Sequence, residues 1–440
     1  MWPYHPDLLA RPVPRYTSYP TAAEFTDAVT SDDMARSLDT IADDTPVSLY
    51  LHIPYCQAIC WYCGCNTGAA NRTSRLTAYL DRLEEEIALV ATRLGGRGRI
   101  CRIAFGGGSP NAIAPAAFER LADRVRTAFA CDDAVISVEI DPRGFTRDWA
   151  AALARAGVSR ASLGVQTLDP ALQAAIGRVQ PVDDIRRAVT LMREAGVGSI
   201  NVDLMYGLPG QSEDALAATI EASLAMAPDR FAIFGYAHVP HLVPRQRRID
   251  ATALPDARAR FRQAALAHWL VTSAGYRAVG FDHFALPGDA LAQAAASGTL
   301  RRNFQGFTED RAEVLIGLGA SAISQFPGAL LQNEKNTGRY HMAIGAGRFA
   351  TARGIRRTAE DRRRGRAIEA LLAGGRADLA GIPGLATIRD RLAPFVAEGL
   401  ATWTGDTLSI VDHALPYARV IAATFDAYRG DEGRRFSSAV

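Results

Sequence analysis

Four of the six cysteines fall within one short segment, at Cys56, Cys60, Cys63 and Cys65. The first three could bind a cubane [4Fe–4S] cluster and leave one iron without a protein ligand. An open coordination position suits catalysis, whereas a structural metal site is closed. Cys65 could be a fourth ligand, which would close that iron. The alternative is a structural zinc site with all four thiols, although zinc motifs usually bring two separated pairs and this sequence has no second pair.

Alternating strands and helices must position this segment. Apolar runs predict six strands, at 47–51, 100–105, 135–140, 159–164, 199–204 and 231–236. Helical spacing predicts helices at 76–94, 114–129, 149–156, 182–195, 212–226 and 257–273. The alternation predicts an α/β fold with a parallel sheet, either open and doubly wound or barrel-like.

Polar or glycine residues stand at or just after each predicted strand, and each has a chemical and a structural interpretation. Gly107 and Gly108 could let the backbone approach a ligand closely, or could only form a tight turn. Glu139 and Asp203 could accept hydrogen bonds from a ligand, or could be solvated or helix-capping carboxylates. Because chemistry in barrel-like folds lies where strands end, we expect one site along this rim. The rim positions are Tyr50, His52, Gly107, Gly108, Ser109, Glu139, Gln166, Asp203, Tyr236, Ala237 and His238.

Three of the polar candidates have specific alternatives. Gln166 could bind a ligand or be a satisfied core amide. Arg178, in a helix–loop region, could contact a carboxylate or form a surface ion pair. A lone histidine such as His52 is more often structural than an acid or base.

The cysteine segment resembles the signature of the radical S-adenosylmethionine (SAM) superfamily. The longer string from Tyr50 to Asn66 resembles the bacterial oxygen-independent coproporphyrinogen III oxidases. The resemblance begins at the string from Arg15 to Pro20, and it ends near Phe425 and Asp426 and at Phe436 and Ser437. It implies a radical SAM partial (β/α)6 barrel with an N-terminal arm and a smaller, mainly helical C-terminal domain. The implied divisions are an arm at 1–35, a barrel at 36–275, a covering extension at 276–345 and a helical domain at 346–440.

The resemblance also implies an activity. The enzymes of this family oxidatively decarboxylate two propionate side chains of coproporphyrinogen III to vinyl groups, which gives protoporphyrinogen IX in anaerobic heme biosynthesis. It implies two SAM molecules, one of them chelated by the open iron, and a low-potential electron donor such as flavodoxin or ferredoxin. It further implies a monomer.

Site residues follow from the resemblance position by position. The implied cluster ligands are Cys56, Cys60 and Cys63. The implied SAM contacts are Tyr50, Tyr62, Gly107, Gly108, Ser109, Glu139, Gln166, Arg178, Asp203, Ala237 and Ile323. The residues implied in catalysis are Tyr50, Glu139, Gln305 and Ile323, of which Ile323 rests on the resemblance alone. Arg15 is one candidate among the arginines for binding substrate carboxylates.

Two related functions stay open as alternatives. A heme-binding carrier would typically lack a cysteine at the position of Cys65. A radical SAM enzyme for another tetrapyrrole is disfavoured by the strings at 15–20 and 303–306.

The sequence departs from the family pattern at one place. Near 371–375 the family commonly has a cysteine-containing stretch, and here Ala373 takes that place, followed by Gly374 and Gly375. This departure predicts altered packing of the C-terminal domain over the site.

Composition limits the partners and the location. Lys+Arg 49 against Asp+Glu 47 gives a net charge of +2, so bulk charge does not indicate a nucleic-acid partner. No apolar run approaches the roughly 18 residues that span a bilayer, and the start does not resemble a signal peptide, so we expect a cytoplasmic protein. The arginine-rich run at 353–366 is typical of a solvated helix face. Its functional alternatives are guidance of an acidic substrate and docking of an acidic electron donor.

Overall fold

The computed structural model describes residues 2–429, so Phe436 and Ser437 lie outside the described residues. The α-helices are α1 (Pro6–Leu9), α2 (Ser31–Asp39), α3 (Thr73–Leu94), α4 (Pro115–Phe129), α5 (Arg147–Arg155), α6 (Pro170–Ala175), α7 (Val182–Glu194), α8 (Glu213–Leu224), α9 (Ala257–Ser273), α10 (Ala290–Ala296), α11 (Thr337–Gly345), α12 (Ala359–Gly374), α13 (Leu385–Ala397) and α14 (Ala418–Ala422). The strands are β1 (Pro46–Ile53), β2 (Tyr55–Cys56), β3 (Gly68–Ala69), β4 (Arg99–Gly107), β5 (Val135–Ile140), β6 (Val158–Gln166), β7 (Ser199–Tyr206), β8 (Arg230–Gly235), β9 (Arg277–Val279), β10 (His283–Ala285), β11 (Arg301–Asn303), β12 (Gly306–Thr308), β13 (Val314–Leu318), β14 (Ile323–Phe326), β15 (Ala329–Asn333), β16 (Thr351–Arg356), β17 (Arg376–Asp378), β18 (Ala401–Thr404) and β19 (Thr407–Ile410).

One twelve-stranded sheet forms the barrel wall, in the order β16-β15-β14-β13-β1-β4-β5-β6-β7-β8-β10-β9. Its centre is the six parallel strands β1, β4, β5, β6, β7 and β8. Helices α3, α4, α5, α7 and α8 stand between consecutive strands of this series. The predicted α/β partial barrel is confirmed, and the open doubly wound alternative is wrong. The strands at both ends of the sheet pair antiparallel.

Apolar stripes on the helices hold this wall together. In α3 the buried residues include Leu80, Leu83, Ile87 and Val90, which recur at helical spacing. The helix ends at Gly95, whose φ of 59° places it in the left-handed region that favours glycine. Strand β1 is buried along almost its whole length, as expected for a parallel strand covered on both faces.

Charged side chains close the barrel near the first residues of its strands. Glu309 accepts a hydrogen bond from Arg102 Nη2 at 2.9 Å and also pairs with Arg160. Arg230 lies 3.8 Å from the same carboxylate and pairs with Asp289 at 2.7 Å. Because these arginines stand early in β4, β6 and β8, the opposite end is left open for a ligand.

The strand boundaries correct three sequence expectations. Tyr50 lies in the middle of β1 rather than at its end, and Gly107 and Gln166 belong to β4 and β6 rather than following them. The apolar run at 314–323 is divided by a turn, in which Ser321 has a φ of 65°, between β13 and β14. These strands extend farther than their apolar runs because backbone pairing continues past the last apolar residue.

The C-terminal part combines helices α12, α13 and α14 with a small sheet in the order β17-β19-β18. Strands β18 and β19 pair antiparallel as a hairpin. The N-terminal arm belongs to the same hydrophobic core, through Val13, Tyr16 and Tyr19. Strand β16 pairs with β15 in the large sheet, and the proposed division at 345–346 stays a prediction. Within residues 2–429, no helix has both the length and the apolar character to cross a membrane.

Candidate functional site

A cavity of about 450 Å³ opens at the carboxyl ends of the parallel strands. It collects most of the residues that the sequence selected. They are Cys56, Cys60, Tyr62, Cys63, Gly107, Gly108, Ser109, Glu139, Gln166, Arg178, Asp203 and Ala237. We refer to this space as the cluster cavity.

The cysteine segment is pinned to the rim by backbone contacts. The Trp61 N–H donates to the carbonyl of Ile176 at 3.0 Å. Gln246 Nε2 donates to the carbonyl of Tyr62 at 2.8 Å. The Trp61 ring lies so close to Gly177, whose φ is 64°, that a Cβ at this glycine would meet it at 2.6 Å. The segment therefore presents its thiols from a fixed backbone.

The thiols have different proton affinities. A hydrogen bond from the Cys65 thiol lowers the pKa of Cys63 to about 6, and the backbone N–H of Cys65 also points at this sulfur at 3.4 Å. Burial raises the pKa of Cys56 to about 12, so this thiol keeps its proton at neutral pH in the metal-free chain. Two cations face Cys60, Arg178 Nη1 at 3.2 Å and Arg143 Nη2 at 3.4 Å. These cations would stabilise a thiolate at this position.

The thiols fit an iron–sulfur cluster better than a single zinc ion. Among residues 2–429, no three His, Cys, Asp or Glu side chains converge on one metal-sized point. A cubane cluster separates its thiolate ligands more widely than one tetrahedral ion does. Cys56, Cys60 and Cys63 all face the cluster cavity, so they could each bind a different iron.

Gly107 and Gly108 form a wall where no side chain fits. A Cβ at Gly108 would lie 2.5 Å from the backbone oxygen of Tyr55, and Gly107 has a φ of 113° and lies against His52. The N–H of Gly108 donates to the carbonyl of Ile53 at 2.8 Å. The tight-turn interpretation is therefore incomplete, because these glycines also bring backbone to the cavity wall. The Ser109 hydroxyl donates to Asn111 Oδ1 at 2.9 Å.

Two carboxylates, Glu139 and Asp203, line the cluster cavity. Glu139 Oε2 accepts the N–H of Gly107 at 3.1 Å. The surrounding barrel wall raises the pKa of Glu139, although this side chain is exposed to cavity solvent and hydration limits the shift. Asp203 accepts hydrogen bonds from Ser162 Oγ at 3.0 Å and Asn201 Nδ2 at 2.7 Å, and burial raises its pKa to about 6. Neither carboxylate caps a helix, so the helix-capping alternative is wrong. Glu139 is exposed, which agrees with the solvated alternative, whereas Asp203 is held by Ser162 and Asn201.

Gln166 and Arg178 are both buried beside these groups. Gln166 has a φ of 69°, and its buried Oε1 has no hydrogen-bond partner within the described chain. The satisfied-amide interpretation is therefore wrong for this oxygen. Arg178 is 5% exposed and pairs with Asp141 at 3.2 Å. The alternative of a surface ion pair for Arg178 is wrong as well.

Three predicted residues lie away from the cluster cavity. Gln305 lines an adjoining cavity of about 430 Å³ inside the barrel, which we call the lumen. Tyr50 donates to or accepts from His52 Nδ1 at 3.1 Å, and its ring packs edge-to-face on Phe304, a lumen residue, at 4.6 Å. Ile323 begins β14, where its backbone fills the space beside Gly317. The lumen and the cluster cavity share Glu139 and Asp203.

The remaining rim residues are His52, Tyr236 and His238. His52 is buried with its pKa lowered to about 4 by desolvation, so its imidazole is neutral at pH 7. It lies 3.3 Å from Ser321 Oγ, which supports the structural interpretation. Tyr236 and His238 contact each other at 2.9 Å between the Tyr236 hydroxyl and Nδ1.

The sequence did not indicate several charged residues of the site. Asp141 bonds Arg178 and Arg143, and its position directly after the third predicted strand was a usable signal. Asp282 and His283 form a pair at 2.6 Å on the lumen wall, and Arg302 lines the same wall. Arg245, from the loop after β8, also lines the cluster cavity. Neither its spacing nor its neighbours along the chain were a reason to select it.

Comparisons with known proteins agree with this geometry. The model of the radical SAM superfamily matches residues 50–222. An oxygen-independent coproporphyrinogen III oxidase of Bradyrhizobium diazoefficiens is 44% identical over 97% of this chain and 96% of its own length. One from Pseudomonas aeruginosa is 36% identical over 97% of this chain and 96% of its own.

A solved structure extends the agreement to three dimensions. It is the coproporphyrinogen III oxidase of Escherichia coli, described as a radical SAM enzyme, which is 33% identical with a TM-score of 0.91. The match covers 97% of this chain and 100% of that one. With relatives this similar over nearly its full length, the chain belongs to the oxygen-independent coproporphyrinogen III oxidase family of the radical SAM superfamily.

Proposed function

We propose that this chain oxidatively decarboxylates two propionate side chains of coproporphyrinogen III to vinyl groups, giving protoporphyrinogen IX in anaerobic heme biosynthesis. The observation that carries the proposal is that the two cavities adjoin and share lining residues. The cluster cavity is lined by four thiols, three of which are the proposed cluster ligands, and the lumen beside it is lined by arginines and Gln305. Glu139 and Asp203 belong to both walls, so a cofactor in one space would face a substrate in the other.

Cofactor binding is assigned to residues of the cluster cavity. A [4Fe–4S] cluster with SAM supplies, when bound, a carbon radical that abstracts hydrogen from an unactivated carbon. Cys56, Cys60 and Cys63 would hold the cluster. The bare backbone at Gly107 and Gly108 and the unpaired Gln166 Oε1 would receive SAM. Bulky Trp61 and Tyr62 flank the thiols and would limit water access.

A second SAM molecule is part of the proposal. Tyr50 and Ile323, which the resemblance assigns to SAM, lie outside the cluster cavity. Tyr50 packs on Phe304 at the lumen wall, so a second molecule would bind on that side. Burial raises the pKa of Tyr50 well above its usual range, so its hydroxyl keeps its proton at neutral pH.

The substrate carries four carboxylates, and arginines on the lumen wall would bind some of them. Arg15 reaches the lumen from the N-terminal arm, where its Nη2 donates to the carbonyl of Gly235 at 2.9 Å. Its guanidinium stacks over Phe234 at 5.2 Å from the ring centre. Gln305 lies beside them and would position the propionate that reacts.

The loop after β8 supplies a surface for a low-potential electron donor such as flavodoxin or ferredoxin. Leu242 of this loop and Val179, between α6 and α7, are unusually exposed for apolar residues, at 61% and 65%. Arg248 stacks over Trp61 at 4.2 Å, and Arg245 Nη1 bonds Thr67 at 2.9 Å, so both cations stand next to the cysteine segment. An acidic partner with an apolar centre would match this surface. Action as a monomer is proposed from the resemblance, and a cytoplasmic location is proposed from the sequence pattern.

The test is an anaerobic assay of the full chain reconstituted with iron and sulfide. A reductant, SAM and coproporphyrinogen III are added, and 5′-deoxyadenosine, methionine and tetrapyrroles are followed by mass spectrometry. Loss of two carboxyl groups with matching SAM cleavage is the expected result, and Cys56→Ala should abolish it. SAM cleavage without decarboxylation would favour another tetrapyrrole substrate. Heme binding with intact SAM would favour a carrier.

A further inference from the structure

A cavity of about 630 Å³ lies outside the barrel, between α12, the β11–β12 hairpin and the N-terminal arm. This size is within the range of about 300–1,000 Å³ for small-molecule sites. We call this space the arginine cavity. Two carboxylates, Glu313 and Glu369, also line it, which leaves an excess of positive charge. The arginines are Arg301, Arg302, Arg357, Arg362, Arg366 and Arg376.

Most of this charge has no internal partner. Glu369 pairs with Arg301 at 2.8 Å, but the side chains of Arg366 and Arg376 make no hydrogen bond or ion pair within residues 2–429. Arg362 donates only to the backbone oxygen of Arg357, at 3.3 Å. The Nε of Arg357 is buried and has no hydrogen-bond partner in the described part of the chain. Arg366 and Arg376 are exposed and solvated, so an anion with several carboxylates could replace their water with charge-assisted hydrogen bonds.

Arg302 separates the arginine cavity from the lumen and lines both. It is 8% exposed and packs between Phe281 and Phe307, with its guanidinium carbon at 4.8 and 4.3 Å from the ring centres. Its Nε and Nη2 donate to the carbonyl of Arg15 at 3.3 and 3.2 Å. Its buried Nη1 has no hydrogen-bond partner in the part of the chain that the structure describes. One wall residue therefore offers an unused donor between the two spaces.

Apolar and small residues form the rest of the lining. Leu300 and Ile368 are buried there, and Ala373 and Gly374 stand at the end of α12. A Cβ at Gly374 would meet nothing within 4 Å, so a larger side chain would extend into open space. A ligand that combines an apolar body with several carboxylates on its edge would fit both kinds of lining.

We propose that the arginine cavity binds a polycarboxylated tetrapyrrole at a second site, outside the barrel and separated from it by Arg302. The identity of the ligand rests on the proposed function, because coproporphyrinogen III is the polycarboxylate that this enzyme consumes. The site would hold a tetrapyrrole close to the lumen before or after reaction. Within the arginine-rich run of α12, Arg362 and Arg366 are thus assigned to ligand binding, whereas Arg363 belongs to the solvated face.

The experiment titrates the full chain with coproporphyrin III, the stable fluorescent macrocycle with four carboxylates, and records fluorescence quenching. A charge variant, Arg362→Gln with Arg366→Gln, removes two cavity cations. A steric variant, Gly374→Phe, adds a bulky ring at a lining position of the cavity without changing charge. Arg363→Gln is the matched control, because Arg363 is exposed on the same helix and does not line the cavity.

The wild-type chain and Arg363→Gln should bind coproporphyrin III with the same affinity. In the charge and steric variants, the Kd for one of the bound equivalents per chain should rise about tenfold or more. Protoporphyrin IX, with two carboxylates, should bind this site more weakly than coproporphyrin III does. Equal coproporphyrin III binding by all four chains would overturn the proposal. Turnover of coproporphyrinogen III by the same preparations tests the proposed function separately. If the chain does not turn over coproporphyrinogen III but the variants weaken coproporphyrin III binding, the proposed function is refuted and the site is not. If the chain turns over the substrate and the variants bind coproporphyrin III as the wild type does, only the site is refuted.

Discussion

Arg178 Nη1 lies 3.2 Å from Cys60 Sγ, although 118 residues separate them in the chain. The same guanidinium pairs with Asp141 at 3.2 Å and donates to the carbonyl of Gly164. Arg178 therefore links a thiol of the cysteine segment to the ends of β5 and β6. A buried cation in this position can stabilise a thiolate and orient a ligand carboxylate.

Replacing Arg178 by Gln should raise the KM for SAM about tenfold, which corresponds to about 1.4 kcal/mol for a lost charge-assisted hydrogen bond. The iron content after reconstitution should fall as well, because Cys60 loses one of its two cationic neighbours. Arg186→Gln, on the exposed face of α7, is the control. Unchanged SAM kinetics and iron content in the Arg178 variant would contradict this role.

Cys60→Ala should lose most of the bound iron and all SAM cleavage, whereas Cys65→Ala should retain the cluster. The reason is that Cys60 is buried and faces the guanidinium groups of Arg178 and Arg143, whereas Cys65 is exposed. Iron and sulfide per chain, measured after anaerobic reconstitution, check this prediction. Equal iron loss in both variants would instead indicate four cysteine ligands and a closed cluster.

Gly108→Ala should destabilise the fold and abolish SAM binding. The added Cβ would lie 2.5 and 2.7 Å from the backbone oxygen and nitrogen of Tyr55, which cannot move without displacing the cysteine segment. Gly288→Ala is a suitable control, since a Cβ there meets nothing within 4 Å. Thermal unfolding and equilibrium SAM binding measure the two effects. A Gly108→Ala chain with wild-type SAM affinity would disprove the close-approach role.

Glu86 predicts a pH dependence of stability. Burial raises its pKa from 4.5 to about 7, even though it accepts hydrogen bonds from Gly319 N at 2.6 Å, Asn333 Nδ2 at 2.7 Å and the Tyr340 hydroxyl at 2.8 Å. Because the folded-state pKa is the higher one, this contribution to stability is present below about pH 4.5 and is lost as the pH rises through about 7.

The unfolding free energy of the wild-type chain should fall between about pH 5 and pH 8 as Glu86 loses its proton. In Glu86→Gln this fall should be smaller by about 2 kcal/mol, given about 1.4 kcal/mol per pKa unit. Urea unfolding of the metal-free chain at several pH values measures this slope. Glu85→Gln, an exposed neighbour on α3, should keep the wild-type slope. A Glu86→Gln chain with the wild-type slope would show that this carboxyl does not titrate with folding.

Local patterns were sufficient for the elements and for the cysteine segment. Helix α3 ends where the sequence predicts, at the glycine pair 95–96, because a glycine cap and an apolar stripe are properties of neighbouring residues. The three spaced thiols likewise indicate a cluster with an open iron before any fold is known. Strand ends were less predictable, because pairing continued through Gly107 and Gln166 where the apolar runs had stopped.

Tertiary packing alone decided which polar groups meet. It joined Arg178 to Cys60 and Asp141, turned Tyr50 toward Phe304 and the lumen, and separated the arginine cavity from the barrel by Arg302. These contacts join residues far apart in the chain, and they depend on strand register and on the way side chains fill space. The sequence by itself determined the chemistry that the chain can carry and the order of its elements, whereas the distances and burial that govern each charge arose only on folding.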